Sequence, residues 1–461
     1  MSFVSIEYLV FLPAVFVLYW ALAGRVRWQN VLLLAASYLF YAWGDWRVLL
    51  LLLASSLVTW GFGLAIDTTV ARRARRLLCA TGVALHVATL VTFKYFSFFA
   101  DVCGFSAVGL SFYTFQAIAY LVDVTRGKSR GPRRVVDFLL FMAYFPKIVS
   151  GPIERADTLL PQLLSPRRFD YAGAVDGCRQ ALWGLFKTFI VAGYCSPVVD
   201  SAWGNIDGMS ALSLVVACVL FSFEIYCNFS GYIDIALGTS RLLGIELSPN
   251  FRNPYFSRSV PEFWRRWHIT LMLWFRDYLY IPLGGSRCRK WRVVLNVTVV
   301  FMVVALWHGA DATFLLYGLY HAAICSFYVV SGVRAKYSSE VAAGRVLPSL
   351  REACLMLVTF SLVTFGRILF RAETLADAGH YVSAIATRPL TAGGIVGLKE
   401  LALCMAFIAV EWLQRGKAHA LQIDECRLFA SRPVRWALYV ALTLIVILAQ
   451  QAPQEFIYSQ F

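Results

Sequence analysis

Long apolar runs, broken by short polar stretches rich in arginine, set the rhythm of this chain. The clearest extend from Phe3 to Gly24, Trp28 to Ala42, Leu77 to Phe93, Gly208 to Phe223, Val293 to Ala310, Ala312 to Val333 and Trp436 to Ala449. A helix needs about 20 mostly apolar residues to cross a bilayer, and these windows approach or reach that length. The pattern predicts an all-α, multi-pass membrane protein. No basic region precedes Phe3, and no small-x-small cleavage pattern leads into a soluble domain. The first run therefore reads as a permanent span and not as a leader.

Three stretches depart from the pattern. Up to about Val124 four or five helices are expected, the last being "LSFYTFQAIAYLVDV". From Val135 to Arg179, Pro146, Pro152, Pro161 and Pro166 forbid one continuous helix. Irregular backbone at membrane depth must be buried in protein or line a cavity, so this stretch is either re-entrant or at the cytoplasmic surface. In "SLVVACVLFSFEIYCNFSGYIDIALGTSRLLG", Glu224 and Asn228 lie four apart on one helical face, with Gly231 nearby. That polar seam faces inward, either to hold helices together or to line a substrate path. In the stretch 251–292, a helix from about Pro261 would align Phe263, Trp264, Trp267, Leu271 and Trp274, with Arg265, Arg266 and Arg276 largely off the stripe. This reads as an interfacial amphipathic helix ended by "PLGG". No fixed-period repeat is present, nor the paired broken helices that transporters often show.

Composition agrees. Of 461 residues 59% are hydrophobic and 15% charged, where a soluble protein carries about a quarter charged. Mean hydropathy is +0.65. The net charge of +15 would suggest nucleic acid in a soluble protein, but no basic, aromatic-interleaved module exists to bind it. Basic residues instead cluster in short loops: Arg72, Arg73, Arg75 and Arg76; Arg126, Lys128, Arg130, Arg133 and Arg134; Arg287, Arg289, Lys290 and Arg292; and Arg427, Arg432 and Arg435. Placing all four in the cytoplasm gives an outside N-terminus and about eleven or twelve membrane segments. The eleven cysteines are scattered and form no CxxC, which argues against a zinc site or a disulfide framework.

Candidate chemistry lies in the histidines. His86 sits in an apolar helix, and His380 and His419 in loops or ends, which leaves His268, His308 and His321. His308 follows Arg292 by 16 residues and His321 precedes Arg334 by 13, or about 24 and 20 Å of helix at 1.5 Å per residue. Joined by a turn near Asp311, the two antiparallel helices should hold both imidazoles at similar depth. Intramembrane ionisable residues are functional candidates, although a neutral imidazole also serves as a hydrogen-bonding strut. Desolvation keeps imidazole neutral and able to take a proton. No GxSxG, Walker A or HExxH motif accompanies them. Direct transfer from an activated acyl donor thus fits better than a covalent acyl-enzyme.

The block "FSGYIDIALGTSRLLGIELSPNFRNPYFSRSVPEFWRRWHITLMLWFRDYLYIPLGG" closely resembles the signature of the bacterial membrane-bound O-acyltransferases, the MBOAT family. The nearest branch is that of alginate and peptidoglycan O-acetyltransferases. "SFYTFQAIAYLVDVTRG", "FPKIVSGPIERA", "ALWHGADATF", "YGLYHA", "ILFRAETLADA" and the terminal "FIYSQF" are also similar to family patterns. The resemblance covers nearly the whole chain, as one membrane domain in three stretches: 1–134, 135–292 and 293–461. It implies a ring of tilted helices, with re-entrant and interfacial ones, around a central tunnel with His308 near its floor. His308 in "LWHGA" matches the family's catalytic histidine and His268 in "FWRRWH" the second characteristic position, while His321 closes the helix pair. Trp307, Asp311 and Asp277 would support them, and Arg265, Arg266, Trp267 and Arg276 would hold the donor at a cytoplasmic mouth; the arginines' other reading is anchorage of an interfacial helix. Ala312, Tyr317 and Ala322 depart from residues common in the family, which puts pocket shape, and thus acyl or acceptor choice, in doubt.

The resemblance implies acetyl transfer from a cytoplasmic thioester, acetyl-CoA, toward a cell-surface polysaccharide, with no bound cofactor. It also implies a separate transferase partner outside the bacterial inner membrane. "GPIER" leans toward the peptidoglycan or general polysaccharide branch. Two alternatives stand beside it: D-alanyl transfer from a carrier protein toward teichoic acid, and a transporter without chemistry.

Overall fold

The computed structural model describes residues 1–96, 109–130, 134–333, 337, 340–391, 394–424, 429 and 431–449. The expectations resting on Arg133, Arg334, Arg427 and the terminal "FIYSQF" lie outside the described residues. Every regular element among them is helical. In order these are α1 (Ile6–Ala21), α2 (Val26–Ala42), α3 (Trp46–Thr68), α4 (Arg72–Val91), α5 (Leu110–Thr125), α6 (Val135–Ala143), α7 (Phe145–Ile148), α8 (Ala156–Leu164), α9 (Tyr171–Phe186) and α10 (Gly193–Gly204). They continue with α11 (Ala211–Leu242), α12 (Val260–Arg266), α13 (Ile269–Phe275), α14 (Lys290–His308), α15 (Ala312–Ser331), α16 (Leu350–Arg371), α17 (Leu375–Thr387), α18 (Leu398–Leu413) and α19 (Arg432–Ile447).

Among the described residues, seven helical segments are long and apolar enough to cross a membrane: Trp46–Thr68, Arg72–Tyr95, Tyr171–Gly204, Ala211–Leu242, Lys290–His308, Ala312–Ser331 and Leu350–Arg371. Tyr171–Gly204 is continuous because a π-helical turn, Lys187–Ala192, joins α9 to α10. The expected spans at Phe3, Trp28 and Trp436 are helices of 16, 17 and 16 residues.

The chain divides into two compact units, Met1–Ala181 with Tyr232–Pro249, and Leu182–Gly231 with Asn250–Phe461. In the first unit, the proline-broken stretch is buried in protein. Phe138, Leu140, Phe141, Tyr144 and Phe145 are fully buried. Asn30 on α2 donates to Asp137 on α6 (2.8 Å) and to the Leu163 carbonyl of α8 (2.9 Å), and its own oxygen accepts from Arg167 (2.7 Å). Those bonds satisfy the polar groups that helix breaks expose, which is what irregular backbone in a membrane protein requires. The stretch is broken into separate helices as expected, with Pro146 in the first turn of α7, although Pro161 sits inside α8 and does not itself end a helix.

The second unit has a core of Trp183, Phe223, Tyr226, Tyr255, Phe263, Trp264, Trp267, Phe301 and Tyr317, among others. A side chain at Gly231 would collide with Thr188 and with the Gly184 carbonyl, so α11 meets the π-helical turn with no space for a Cβ. Glu224 and Asn228 are both buried on that helix, as an inward polar seam requires. His380 lies within α17, not in a loop, and pairs with Asp207 at 3.1 Å.

Candidate active site

The site is built on a helical hairpin. The apolar, β-branched run of α14 ends at His308, and α15 starts at Ala312 with Asp311 as its N-cap. A Cβ at Gly309 would lie 2.6 Å from the Phe314 ring, so glycine lets the turn close over that phenylalanine. Two turns along, a Cβ at Gly318 would lie 2.6 Å from Ala305 Cβ and 2.7 Å from the Phe301 carbonyl oxygen. The backbones touch there, which sets the hairpin's register. His308 is thereby held, 6% exposed, between Trp307 (4.6 Å between ring centroids), Phe314 (6.1 Å) and Phe370 of α16 (5.0 Å).

His308 and His321 do not share a depth. Lys290 Nζ bonds to the Val330 carbonyl, so those residues are level. His308 is 18 residues beyond the first, roughly 27 Å, and His321 nine residues before the second, roughly 14 Å. Because His308 closes its helix, the residue facing it is Phe314 in the first turn of α15, while His321 stacks on Phe301 (6.2 Å) well below. Tyr317 and Phe370 connect the two imidazoles, at 4.6 Å from His321 and 5.0 Å from His308, with 5.4 Å between themselves. Trp264 Nε1 donates to His321 Nδ1 at 3.3 Å, which places the proton of neutral His321 on Nε2.

His268 comes from a broken helix. The continuous helix expected from Pro261 stops at Arg266, Trp267 is extended, and His268 adopts the left-handed conformation (φ 45°, ψ 53°) before α13 begins. A non-glycine residue there costs about 1–2 kcal/mol. Asn250 holds it: its side-chain oxygen accepts from Thr270 N (3.0 Å) and Thr270 Oγ1 (3.0 Å), and its carbonyl from Ile269 N (2.9 Å). The same oxygen lies 3.3 Å from His268 Nδ1. Nδ1 is therefore the donor and Nε2 carries the lone pair. Burial pushes the His268 pKa down to about 3, so the ring is neutral at physiological pH. It packs edge-on against Phe229 (4.8 Å) and faces Trp307 (6.0 Å).

The break also changes what the aromatic stripe does. Phe263, Trp264, Trp267, Leu271 and Trp274 are buried in protein and do not coat a membrane interface. Of the residues expected at a donor mouth, Arg265 is exposed, and Arg266 is held by Glu262 at 2.8 Å. Exposed Arg276 pairs with Asp277 at 2.7 Å, and Trp267 lies in the core. The structure thus gathers His268, Trp307, His308, Trp267 and His321 around one aromatic enclosure and leaves the three arginines outside it.

One residue of the enclosure went unnoticed in the sequence. Arg367 of α16 is 1% exposed, with its guanidinium carbon 4.5 Å over the Trp267 ring and 5.7 Å from that of Phe370. The signal was an arginine inside an apolar span, which is a functional candidate by default.

Comparison with known proteins gives the family. The model of MBOAT, the membrane-bound O-acyltransferase family, matches residues 130–337, which include all three histidines. The probable alginate O-acetylase AlgI of Pseudomonas aeruginosa is 33% identical over 426 residues, 87% of this chain and 79% of the relative. A peptidoglycan O-acetyltransferase of Helicobacter pylori is 29% identical over 449 residues, 88% of this chain and 81% of the relative. A teichoic acid D-alanyltransferase of Bacillus subtilis is 27% identical over 279 residues, 58% of this chain and 69% of the relative. With a relative this similar over this much of both chains, the protein belongs to the membrane-bound O-acyltransferase family and is an acyltransferase enzyme.

Proposed function

We propose that the enzyme takes an acetyl group from a cytoplasmic thioester, acetyl-CoA, and passes it across the membrane for O-acetylation of a cell-surface or secreted polysaccharide. The observation that carries this reading is the placement of His308: buried at a helix end, walled by Trp307, Phe314 and Phe370, with His268 beyond Trp307. An imidazole is suited to take a proton from a hydroxyl held within hydrogen-bond reach. The hydroxyl oxygen bonds to the thioester carbonyl carbon, and the carbonyl pair moves to its oxygen as His308 accepts the hydroxyl proton. When the carbonyl re-forms, the carbon–sulfur bond breaks with its pair on sulfur, and His308 returns the proton to give the free thiol. His268, neutral and fixed by Asn250, orients the thioester.

Matches to O-acetyltransferases over 87% and 88% of the chain support acetyl over D-alanyl transfer, whose match covers 58%. The reading includes some eleven or twelve membrane segments around a central tunnel in the inner membrane. A transferase partner on the far side would receive the group. Arg265, exposed in the last turn of α12, is the arginine placed to meet donor phosphates.

The test is acetyl release from labelled acetyl-CoA by the purified protein in proteoliposomes, wild type against His308→Ala, with monodisperse elution required of both. Consumption that falls by about 10³-fold or more in the variant supports the reading. Equal consumption would remove His308 as the base. Wild-type inactivity with acetyl-CoA, but turnover of a D-alanyl carrier-protein thioester, would move the enzyme to the D-alanyl branch.

A further inference from the structure

Among the described residues of the second unit, three lysine or arginine side chains are buried: Lys187, Arg258 and Arg367. Two have carboxylates, Glu411 at 3.6 Å from Lys187 and Glu262 at 3.1 Å from Arg258. Arg371, one turn beyond Arg367, has Asp200 at 2.8 Å. Arg367 pairs with no carboxylate among the described residues, and its Nε and Nη2 are buried with no acceptor. What surrounds it is aromatic: the faces of Trp267 and Phe370. A guanidinium cannot shed its proton in a protein, and burying an unpaired charge is costly. A cation that only braced the fold would be expected to have acceptors, as the other two have.

Its position says what the missing anion is. The Phe370 ring has His308 on it at 5.0 Å and the Arg367 guanidinium at 5.7 Å. Beside Arg367, Gly366 packs on His321, where a Cβ would lie 3.1 Å from His321 Nε2. A base, an attacking hydroxyl, a carbonyl and a donor to that carbonyl's oxygen, each in reach of the next, occupy roughly 8 Å. Two groups flanking one phenylalanine ring can bracket that set. Thioester and hydroxyl are both neutral before reaction, so the first full negative charge to arise there is on the carbonyl oxygen after attack; the later charge on sulfur is quenched by the proton that His308 returns.

Resting on the acyl-transfer reading of this site, we propose that Arg367 is a catalytic residue, whose guanidinium receives the negative charge that forms on the acyl carbonyl oxygen. As the acceptor oxygen bonds to the carbonyl carbon, the C=O pair passes to oxygen and is held by Arg367 while the hydroxyl proton sits on His308. The pair then returns to restore C=O, the carbon–sulfur bond breaks, and the thiolate recovers the proton from His308. A donor fixed before charge develops favours the transition state over the ground state, and therefore acts on turnover rather than on affinity.

The test compares wild type, Arg367→Gln and Arg367→Lys in proteoliposomes. It reads kcat and KM for acetyl-CoA, affinity for an unreactive thioether analogue of acetyl-CoA, and melting temperature. Arg367→Gln should lower kcat about 10²–10³-fold with thioether affinity within about threefold of wild type, and Arg367→Lys should recover part of the loss. Unchanged kcat in a folded Arg367→Gln overturns the assignment. Loss of thioether affinity by the same factor as kcat/KM overturns it too, because the group would then bind a ground-state anion. Should Arg367→Gln not fold, Arg367→Lys decides: a kcat fall of about tenfold at unchanged affinity supports the role, since lysine lacks the forked donors, and wild-type kcat overturns it. Activity that depends on His308 but not on Arg367 refutes only this inference, whereas activity independent of His308 refutes the reading beneath it.

Discussion

At the scale of single residues, His268 combines two demands that can be separated. Its backbone must hold a left-handed conformation, and its ring must present Nε2 while Nδ1 faces Asn250. Asparagine tolerates that backbone better than other non-glycine residues, so His268→Asn should remain folded while turnover falls by about 10²-fold, measured as melting temperature beside acetyl release. The pH dependence is a second readout. The folded pKa is depressed to about 3 by burial, below the ordinary value of about 6.5. Between those limits the unfolded chain binds the proton and the folded one does not, so stability falls as pH drops below about 6.5, by up to about 1.4 kcal/mol per unit. The wild-type melting temperature should therefore drop more between pH 7 and pH 5 than that of His268→Asn; parallel curves would deny His268 its neutral, buried state. From sequence the three histidines were legible as a set. Their relation was not, because helical rise counts distance along an axis and is silent on where a helix stops. Arg367 was illegible for a different reason: the family-like motif "ILFRAETLADA" begins one residue later.

At the scale of elements, the α14–α15 hairpin was legible almost to the residue, because two unbroken apolar runs meet at a turn containing glycine and aspartate. The break at His268 was not legible. The aromatic stripe from Phe263 to Trp274 has helical spacing, and bonds to a segment earlier in the chain stop the helix there: Thr270 and Ile269 donate to Asn250, and Arg252 N donates to the Arg266 carbonyl. Backbone contact at Gly318 sets the hairpin, so Gly318→Ala must push α14 away from α15. We expect about 1–3 kcal/mol of destabilisation, or about 1–5 °C in melting temperature, together with reduced turnover as the Phe314–His308 stack shifts. Gly379→Ala is the matched control, since an added Cβ there meets nothing within 4 Å. On an exposed helical position it should leave the protein unchanged or stabilise it by about 0.5–1 kcal/mol. Equal melting temperatures for the two variants would show that the hairpin is not held by that contact.

At the scale of the whole molecule, membrane class was legible, and the helix inventory less so. Tyr171–Gly204 was hidden because it begins with polar residues and contains a π-helical turn; Trp46–Thr68 and Leu350–Arg371 satisfy the length rule plainly but were not among the clearest runs. The positive-inside argument receives local support in each unit. In the first, Arg72, Arg75, Arg76 and Arg126 line one pocket, so two basic clusters distant in sequence share one end of the unit. In the second, the bond from Lys290 to Val330 brings the basic start of α14 level with the end of α15. If both ends face the cytoplasm, Cys288, beside Arg287 and Arg289, is cytoplasmic. Roughly 27 Å of helix further on, exposed Ala310 is on the opposite side. With the other ten of the eleven cysteines replaced by alanine, Cys288 should react with a membrane-impermeant maleimide in inverted vesicles and not in right-side-out cells. A cysteine at Val70, 97% exposed, should follow the same pattern, and one at Ala310 the reverse. Labelling of Cys288 and Val70→Cys from opposite sides would break the assignment of all four basic clusters to one compartment, and would require an odd number of spans between residues 70 and 288.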